Sequence, residues 1–357
     1  FIGARHGKLQ KTAEPPIKWV SRPNPVPRPA KPTNCTYIYG VAQGWVGEHA
    51  NPLSNFSVRV IITSIPSHNI LRPASEGTTT MQPADLNMTT TVTGRQLFLF
   101  VTFGEGQADG ELAKAIDLLG QGMENVHEVD GPPSNEAFAR GRFQLLRAES
   151  GFTTEQQIIH QAVAESNGLI RLECATLEPI KGYENGLREL IETAGGSIET
   201  LAGVMRPRSY TSHAMSEFAY AHAMPPGPGE KFPLAAVTPM NKTDEWWQMD
   251  FLHRESFFLP RYDENENMVV KGHALASAMG VPGINRRLVH APEGYGLQGN
   301  YDFVGYFEFA EADAPVFREV MAGLRDTEQN PEWKYVLEGP EWWGRRVSSA
   351  AAFLGIP

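Results

Sequence analysis

The residues best suited to chemistry fall between positions 240 and 345. Glu245-Trp246-Trp247-Gln248-Met249 sets two of the seven tryptophans side by side, and Gly272-His273 precedes the apolar Ala274-Leu275-Ala276. Asn285-Arg286-Arg287-Leu288 lies on a strand pattern, and Asp326-Thr327-Glu328 follows with carboxylates. Tandem indoles are more often core or interface anchors than cofactor walls. A lone histidine on an apolar helix is likewise more often a satisfied core residue than a ligand. An arginine on an interior-facing strand carries more weight, because a buried guanidinium demands an anionic partner. Together these residues describe a flat, aromatic-lined pocket with one imidazole, one guanidinium and one carboxylate.

Other chemistries are missing from the sequence. There is no GxxxxGK[ST], GxSxG or HExxH pattern, and Gly104-Glu105-Gly106 does not open a Rossmann-type turn. The 10 histidines include no pair at the helical i, i+4 spacing, so a multi-histidine metal centre is not expected. Only Cys35 and Cys174 are present, and neither belongs to a CxxC pair. Zinc ribbons, thiolate clusters and disulfide scaffolds are thereby excluded, and one Cys35–Cys174 disulfide stays open. With 31 basic against 41 acidic residues the net charge of −10 argues against nucleic acid. No apolar run approaches the roughly 18 residues of a membrane helix, so no transmembrane segment is expected.

The elements that must position these groups read as follows. Residues 1–33 hold seven Lys or Arg against Glu14, a local +6 that leaves −16 for the rest, together with seven prolines. This is a basic, extended arm that either lies on a neighbouring surface or stays disordered. The start at Phe1 favours a processed, exported chain. Residues 34–93 form a β-rich extension with strands at 36–40 and 56–62. From 94 the pattern is regular: strand Leu97–Phe103, helix 109–121, strand Leu169–Leu177, helix 183–194 and strand Ile198–Met205. A similar order recurs with strands at Phe232–Val237, Ile284–His290 and Tyr301–Phe309, helix Ala314–Leu324 and an extended stretch at Lys334–Leu337. This predicts an α+β chain of two ferredoxin-like βαββαβ units, 94–215 and 216–357, closing into a barrel-like core with helices outside. Segment 125–165 has no clear assignment.

From Leu169 to about Arg346, roughly half the chain, the sequence resembles the chlorite dismutase family of haem proteins. The resemblance lies in Ile198 to Val204 followed by Pro207 and Tyr210, in Thr238-Pro239 with Lys242 and Glu245-Trp246-Trp247, and in Gly296-Leu297 before Tyr301-Asp302-Phe303. It lies above all in the thirteen residues from His273 to Arg286. The resemblance implies haem b with His273 as axial ligand to the iron and Glu328 as the carboxylate bonded to that histidine. It implies Tyr210, Lys242 and Trp246 near the haem propionates, Trp247 packed on the haem, and Arg286 over its open face. Lys181 adds charge near the histidine side. The implied reaction is decomposition of chlorite to chloride and molecular oxygen, with Arg286 caging the reacting fragment, in a homo-oligomer.

Two alternatives stay open. Coproheme decarboxylases of the same superfamily carry a reactive tyrosine where this chain has Trp247, and usually lack the arginine; another peroxidase-like reaction belongs with them. A non-catalytic haem-binding or structural subunit would suit the arm and the extension. The sequence also departs from the family pattern. The interval Trp247 to His273 is long and contains the polar Arg261 to Asn267, His253 is a rival ligand, and Gln298-Gly299 replaces an acidic pair.

Overall fold

The computed structural model describes residues 94–104, 106, 108–149, 156–206, 224–291 and 301–357. The arm 1–33, the extension 34–93 with Cys35, the 215/216 boundary, Tyr210 and the 296–299 turn lie outside the described residues. The first half runs β1 (Gly94–Thr102), α1 (Gly110–Leu119), β2 (Arg142–Ala148), β3 (Gly168–Cys174), α2 (Glu178–Thr193) and β4 (Ser197–Met205). The second runs β5 (Leu234–Lys242), α3 (Asp244–Gln248), α4 (Phe251–Ser256), α5 (Gly272–Ser277), β6 (Ile284–His290), β7 (Phe303–Phe309), α6 (Ala314–Arg325), β8 (Val336–Glu338) and β9 (Trp342–Val347), followed by α7 (Ala350–Leu354).

Each half builds an antiparallel sheet of the βαββαβ type, with strand order β4-β1-β3-β2 in the first and β6-β7-β5-β9 in the second. The halves join where β2 pairs with β9 and where Val204 of β4 lies opposite His290 of β6. The ring is closed at the β4–β6 seam by that one residue pair, against four pairs between β2 and β9. The short β8 adds to β5 outside the ring path.

Strand β1 is apolar from Leu97 to Val101 because both of its faces are covered there. Leu97, Leu99 and Val101 point outward and pack with Ile116 of α1, Leu187 of α2 and Phe353 of the C-terminal α7. Phe98 and Phe100 point inward and meet Val237, Val304 and Trp342 from the other half, so the inner core is shared by the two units. Outside the second sheet, Ala236, Phe309 and Trp343 lie under Phe317 and Val320 of α6. The alternation of period 2 therefore decides which residues face the barrel interior and which face the helices.

Several elements differ from the sequence pattern for physical reasons. Helix α2 starts earlier than expected because Pro179 sits in its first turn, where a missing N–H costs nothing. The unassigned 125–165 segment contains β2, whose inward positions Arg142 and Gln144 are polar and buried, so its hydrophobic signal is weak. The extended stretch expected from Lys334 is preceded by a 3₁₀ turn over Pro331–Tyr335. Arg261 to Asn267 forms the first strand and tip of a small hairpin, in which the Asp263 carboxylate accepts from the backbone N–H groups of Asn265 and Asn267, both at 2.8 Å. Cys174 is buried in β3 as a free thiol directed at the Ala139 carbonyl. Among the described residues no helix is long and apolar enough to cross a membrane.

Candidate functional site

The site lies outside the barrel wall, between the second sheet and its helices. Alternation places Thr238, Met240 and Lys242 of β5, Arg286 and Leu288 of β6, and Phe303, Gly305 and Phe307 of β7 on one face. That face is the floor of a cavity of about 190 Å³. Gly305 keeps the floor flat, since a Cβ there would stand 2.5 Å from the Thr238 hydroxyl. The roof comes from α5, with His273, Ala274 and Ser277, and from α6, with Phe317, Val320, Met321 and Leu324. The walls are almost wholly apolar, with His273, Arg286, Lys242 and Glu332 as the ionisable exceptions.

His273 is the second residue of α5, and the helix start is pinned by the backbone. Gly272 has φ +67°, and a Cβ there would be 2.5 Å from the Leu259 carbonyl oxygen. Only glycine adopts that conformation so close to another backbone at little cost. The N–H groups of Lys271 and Gly272 both donate to the Gln329 carbonyl, and those of His273 and Ala274 donate to Phe257 and Phe258. The imidazole is thus fixed from several sides, with its ring 5.6 Å from that of Phe258.

Glu332 holds the imidazole. Its Oε2 is 2.7 Å from His273 Nδ1, and its Oε1 accepts from Lys242 Nζ at 2.5 Å. Burial alone would raise this carboxyl, but the Lys242 ammonium and then His273 hold it well below the ordinary carboxylate range, so it is an anion. Burial pushes Lys242 downward from its ordinary value, and Glu332 opposes that push. A carboxylate on Nδ1 fixes the tautomer with Nε2 as the nitrogen able to coordinate, and raises its basicity.

The expected partner, Glu328, is corrected to Glu332. Asp326 caps the reversal after α6 by accepting from the N–H groups of Glu328 and Gln329, and Asn330 is fully buried with its side-chain amide on the Leu324 carbonyl. The reversal leaves Glu328 exposed and turns Glu332 inward. No local sequence signal separates two glutamates four positions apart, although Asn330-Pro331 marks the turn between them.

Other expected residues fall in different places. Lys242 is engaged with Glu332 and lies 4.1 Å over the Trp246 ring, so it is a partner of the histidine's carboxylate. Trp246 does not line the cavity; it is fully buried among Phe257, Phe258 and Tyr335. Trp247 is one layer removed, stacked on the lining Phe303 at 5.9 Å and donating from Nε1 to Asp302 Oδ2 at 3.1 Å. Asp302 also accepts from the Lys242 backbone N–H, a link that sequence reasoning missed. His253 stacks on Phe257 and is not a cavity residue, and Lys181 pairs with Glu184 on α2 in the other half. His273 and Arg286 are brought to the same cavity. Among the described residues there is no group of three or more His, Cys, Asp or Glu that could hold a metal ion.

Two ferredoxin-like sheets closed into one ring, with a cavity between one sheet and its helices, define a dimeric α+β barrel. More narrowly, the chain has the fold of the chlorite dismutases. A single-substitution variant of the chlorite dismutase from Candidatus Nitrospira defluvii superimposes with a TM-score of 0.51 at 15% identity, covering 75% of this chain and 96% of that one. The same organism's enzyme in complex with imidazole matches with a TM-score of 0.51 at 15% identity, covering 73% and 94%. Another variant gives 0.50 at 14% identity, again covering 73% and 94%. No protein-family model matches the chain, and no curated protein matches it by sequence.

Proposed function

We propose that this chain is a haem enzyme that decomposes chlorite to chloride and molecular oxygen, working as a homo-oligomer. The observation that carries the reading is that His273 and Arg286 line one apolar cavity while a buried, ionised Glu332 holds His273 Nδ1. The donor set fits haem b: a flat apolar slot, floored at Gly305, suits a macrocycle, and the His273 imidazole would hold its iron. When bound, haem would supply the iron-centred redox chemistry of oxygen-atom transfer.

The chain's own residues have separate tasks. His273 would ligate through Nε2, with its Nδ1 proton directed at Glu332 Oε2. Lys242 neutralises the Glu332 charge, so the pair can be buried without leaving a net charge behind. Arg286 keeps its proton at any working pH and offers a planar fork of donors to a small oxyanion and to the anionic fragment derived from it. The apolar walls exclude water, which strengthens that contact and keeps the fragment from escaping. The overall change, ClO₂⁻ to Cl⁻ and O₂, balances without an outside electron donor.

The test is a visible spectrum of the haem-loaded protein together with an oxygen electrode. A Soret band that is lost in His273→Ala, prompt oxygen on adding chlorite, and a fall of at least about tenfold in Arg286→Ala with the Soret band retained are the expected results. Haem binding without oxygen release would remove chlorite chemistry and leave the haem site. A Soret band unchanged in His273→Ala would remove His273 as the residue that holds the haem.

A further inference from the structure

The cavity floor carries a polar atom for which the fold supplies no partner. Thr238 of β5 lines the cavity and is only 4% exposed, and its Oγ1 is buried without a hydrogen bond. Such a hydroxyl destabilises the fold, because it has lost its contact with water and gained no acceptor or donor in exchange. Valine has nearly the same shape, the same β-branching and an equal liking for strands, without the hydroxyl. A threonine at this position therefore runs against packing alone, and a buried polar group left open in a cavity points to a ligand atom that completes it.

The register shows where the hydroxyl lies. Thr238 stands opposite Gly305 of β7, Gly305 stands opposite Leu288 of β6, and two residues along β7 Phe307 stands opposite Arg286. The hydroxyl leans into the space that Gly305 leaves open: a Cβ there would be 2.5 Å from Oγ1 and 3.0 Å from the edge of the Phe307 ring. Because β7 lies between β5 and β6, this lean turns Oγ1 toward the middle of the floor and the strand that carries Arg286. Thr238 and Arg286 are two strand spacings apart across the sheet, about 10 Å, and two residues apart along it, about 7 Å. The long arginine side chain spans much of that distance, and both residues line the one cavity.

The polar side chains of the floor are Thr238, Arg286 and Lys242, and the Lys242 ammonium is held by Glu332. Trp333 also lines the cavity with a buried, unpartnered Nε1, but it sits next to Glu332 in the turn after α6, whereas Thr238 shares the floor with Arg286. Beta-branching and the following Pro239 keep the Thr238 frame extended, and the hydroxyl hydrogen rotates to meet an acceptor, so the donor is set in place beforehand. Beside a guanidinium and among apolar walls the fitting acceptor is an anion, and a hydrogen bond to an anion is roughly twice as strong as one to a neutral group. Resting on the haem reading above, we propose that Thr238 is a second substrate-binding residue, whose Oγ1 donates to one oxygen of the oxyanion while Arg286 holds the other. A bent anion with two oxygens, such as chlorite, is gripped from both sides at once. A single-atom chloride reaches only one of them, so Thr238 favours the substrate over the product.

The probe is nitrite, a bent two-oxygen anion of the same charge, titrated into the haem-loaded full-length protein and followed by the Soret band, with fluoride as the single-atom comparison. Thr238→Val should weaken nitrite binding about tenfold and leave fluoride within about threefold. Thr238→Ser keeps the hydroxyl and should bring nitrite back to within about threefold of the wild type. Before haem is added, Thr238→Val should melt about 2–4 °C above the wild type, because an unpartnered buried hydroxyl has been removed. Nitrite affinity within about twofold of the wild type in Thr238→Val, an equal loss for fluoride, or a serine variant as weak as the valine variant would overturn the role. A valine variant that melts below the wild type or fails to fold would do the same, since the hydroxyl would then serve the fold. All of these outcomes leave the haem site standing, whereas a wild type with no Soret band removes the haem reading itself and this role with it.

Discussion

Removing the negative charge of Glu332 should cost more stability than removing the whole ion pair. Its two oxygens are divided between Lys242 Nζ at 2.5 Å and His273 Nδ1 at 2.7 Å, and the Lys242 and Glu332 side chains are only 6% and 5% exposed. Glu332→Gln keeps the shape and leaves the Lys242 ammonium buried beside a neutral amide. Breaking a buried pair from one side costs about 3–5 kcal/mol. The Trp246 ring 4.1 Å from Nζ offers a cation–π contact of about 1–2 kcal/mol that persists in the variant, so the lower end, about 3 kcal/mol, is expected. Adding Lys242→Met removes the stranded charge and should bring the double variant to within about 1–2 kcal/mol of the wild type. Urea unfolding at pH 7, followed by tryptophan fluorescence, reads both: with m about 3 kcal/mol/M, the single variant's midpoint should fall by about 1 M and the double's by much less. A single variant that loses under about 1 kcal/mol, or a double variant no more stable than the single, would refute the reasoning.

Three further outcomes follow from the same geometry. Gly272→Ala forces a side chain against the Leu259 carbonyl at a φ of +67°, and should cost about 2–3 kcal/mol while weakening haem uptake through a displaced His273; thermal melts and haem titration check it. Trp246→Ala should destabilise by about 3–5 kcal/mol, because the indole is fully buried; a variant that melts like the wild type contradicts a packing role. Glu173 is raised by burial but lowered further by Arg171 and Arg142, so its folded pKa lies below the ordinary 4.5. Its stabilising share is therefore complete above pH 4.5 and is lost as the pH falls below it. Glu173→Gln should be less stable at pH 7 and lose less stability than the wild type between pH 5 and pH 3; parallel acid limbs would show that Glu173 does not supply that term.

Much of the architecture was legible along the chain, because alternation and helical periodicity are local. The all-apolar Leu97 to Val101 and the alternating Tyr301 to Phe309 read as strands without reference to any partner, and strand–helix–strand repeated in two halves. Strand β2 was not legible, because it turns Arg142 and Gln144 into a polar part of the barrel where a hydrophobic pattern would be sought. The thirteen-residue interval between His273 and Arg286 pointed to two residues that do meet at one cavity. The roles expected for the basic and aromatic residues near it were less legible: Lys242 turned to Glu332, and Trp246 went to the core.

By itself, then, the sequence determined two α+β units, the absence of common nucleotide and hydrolase motifs, and the identity of the imidazole and guanidinium worth following. Only the tertiary structure decided which carboxylate meets the imidazole, because the turn from Asp326 to Asn330 reverses the chain between Glu328 and Glu332. It also decided what Arg286 and Arg287 face. Alternation puts these adjacent arginines on opposite sides of one strand, but only ring closure makes one side a cavity under helices and the other a barrel interior shared by both halves. Spacing along a chain fixes direction relative to its own backbone, and the surroundings of a side chain come from elements far away in sequence.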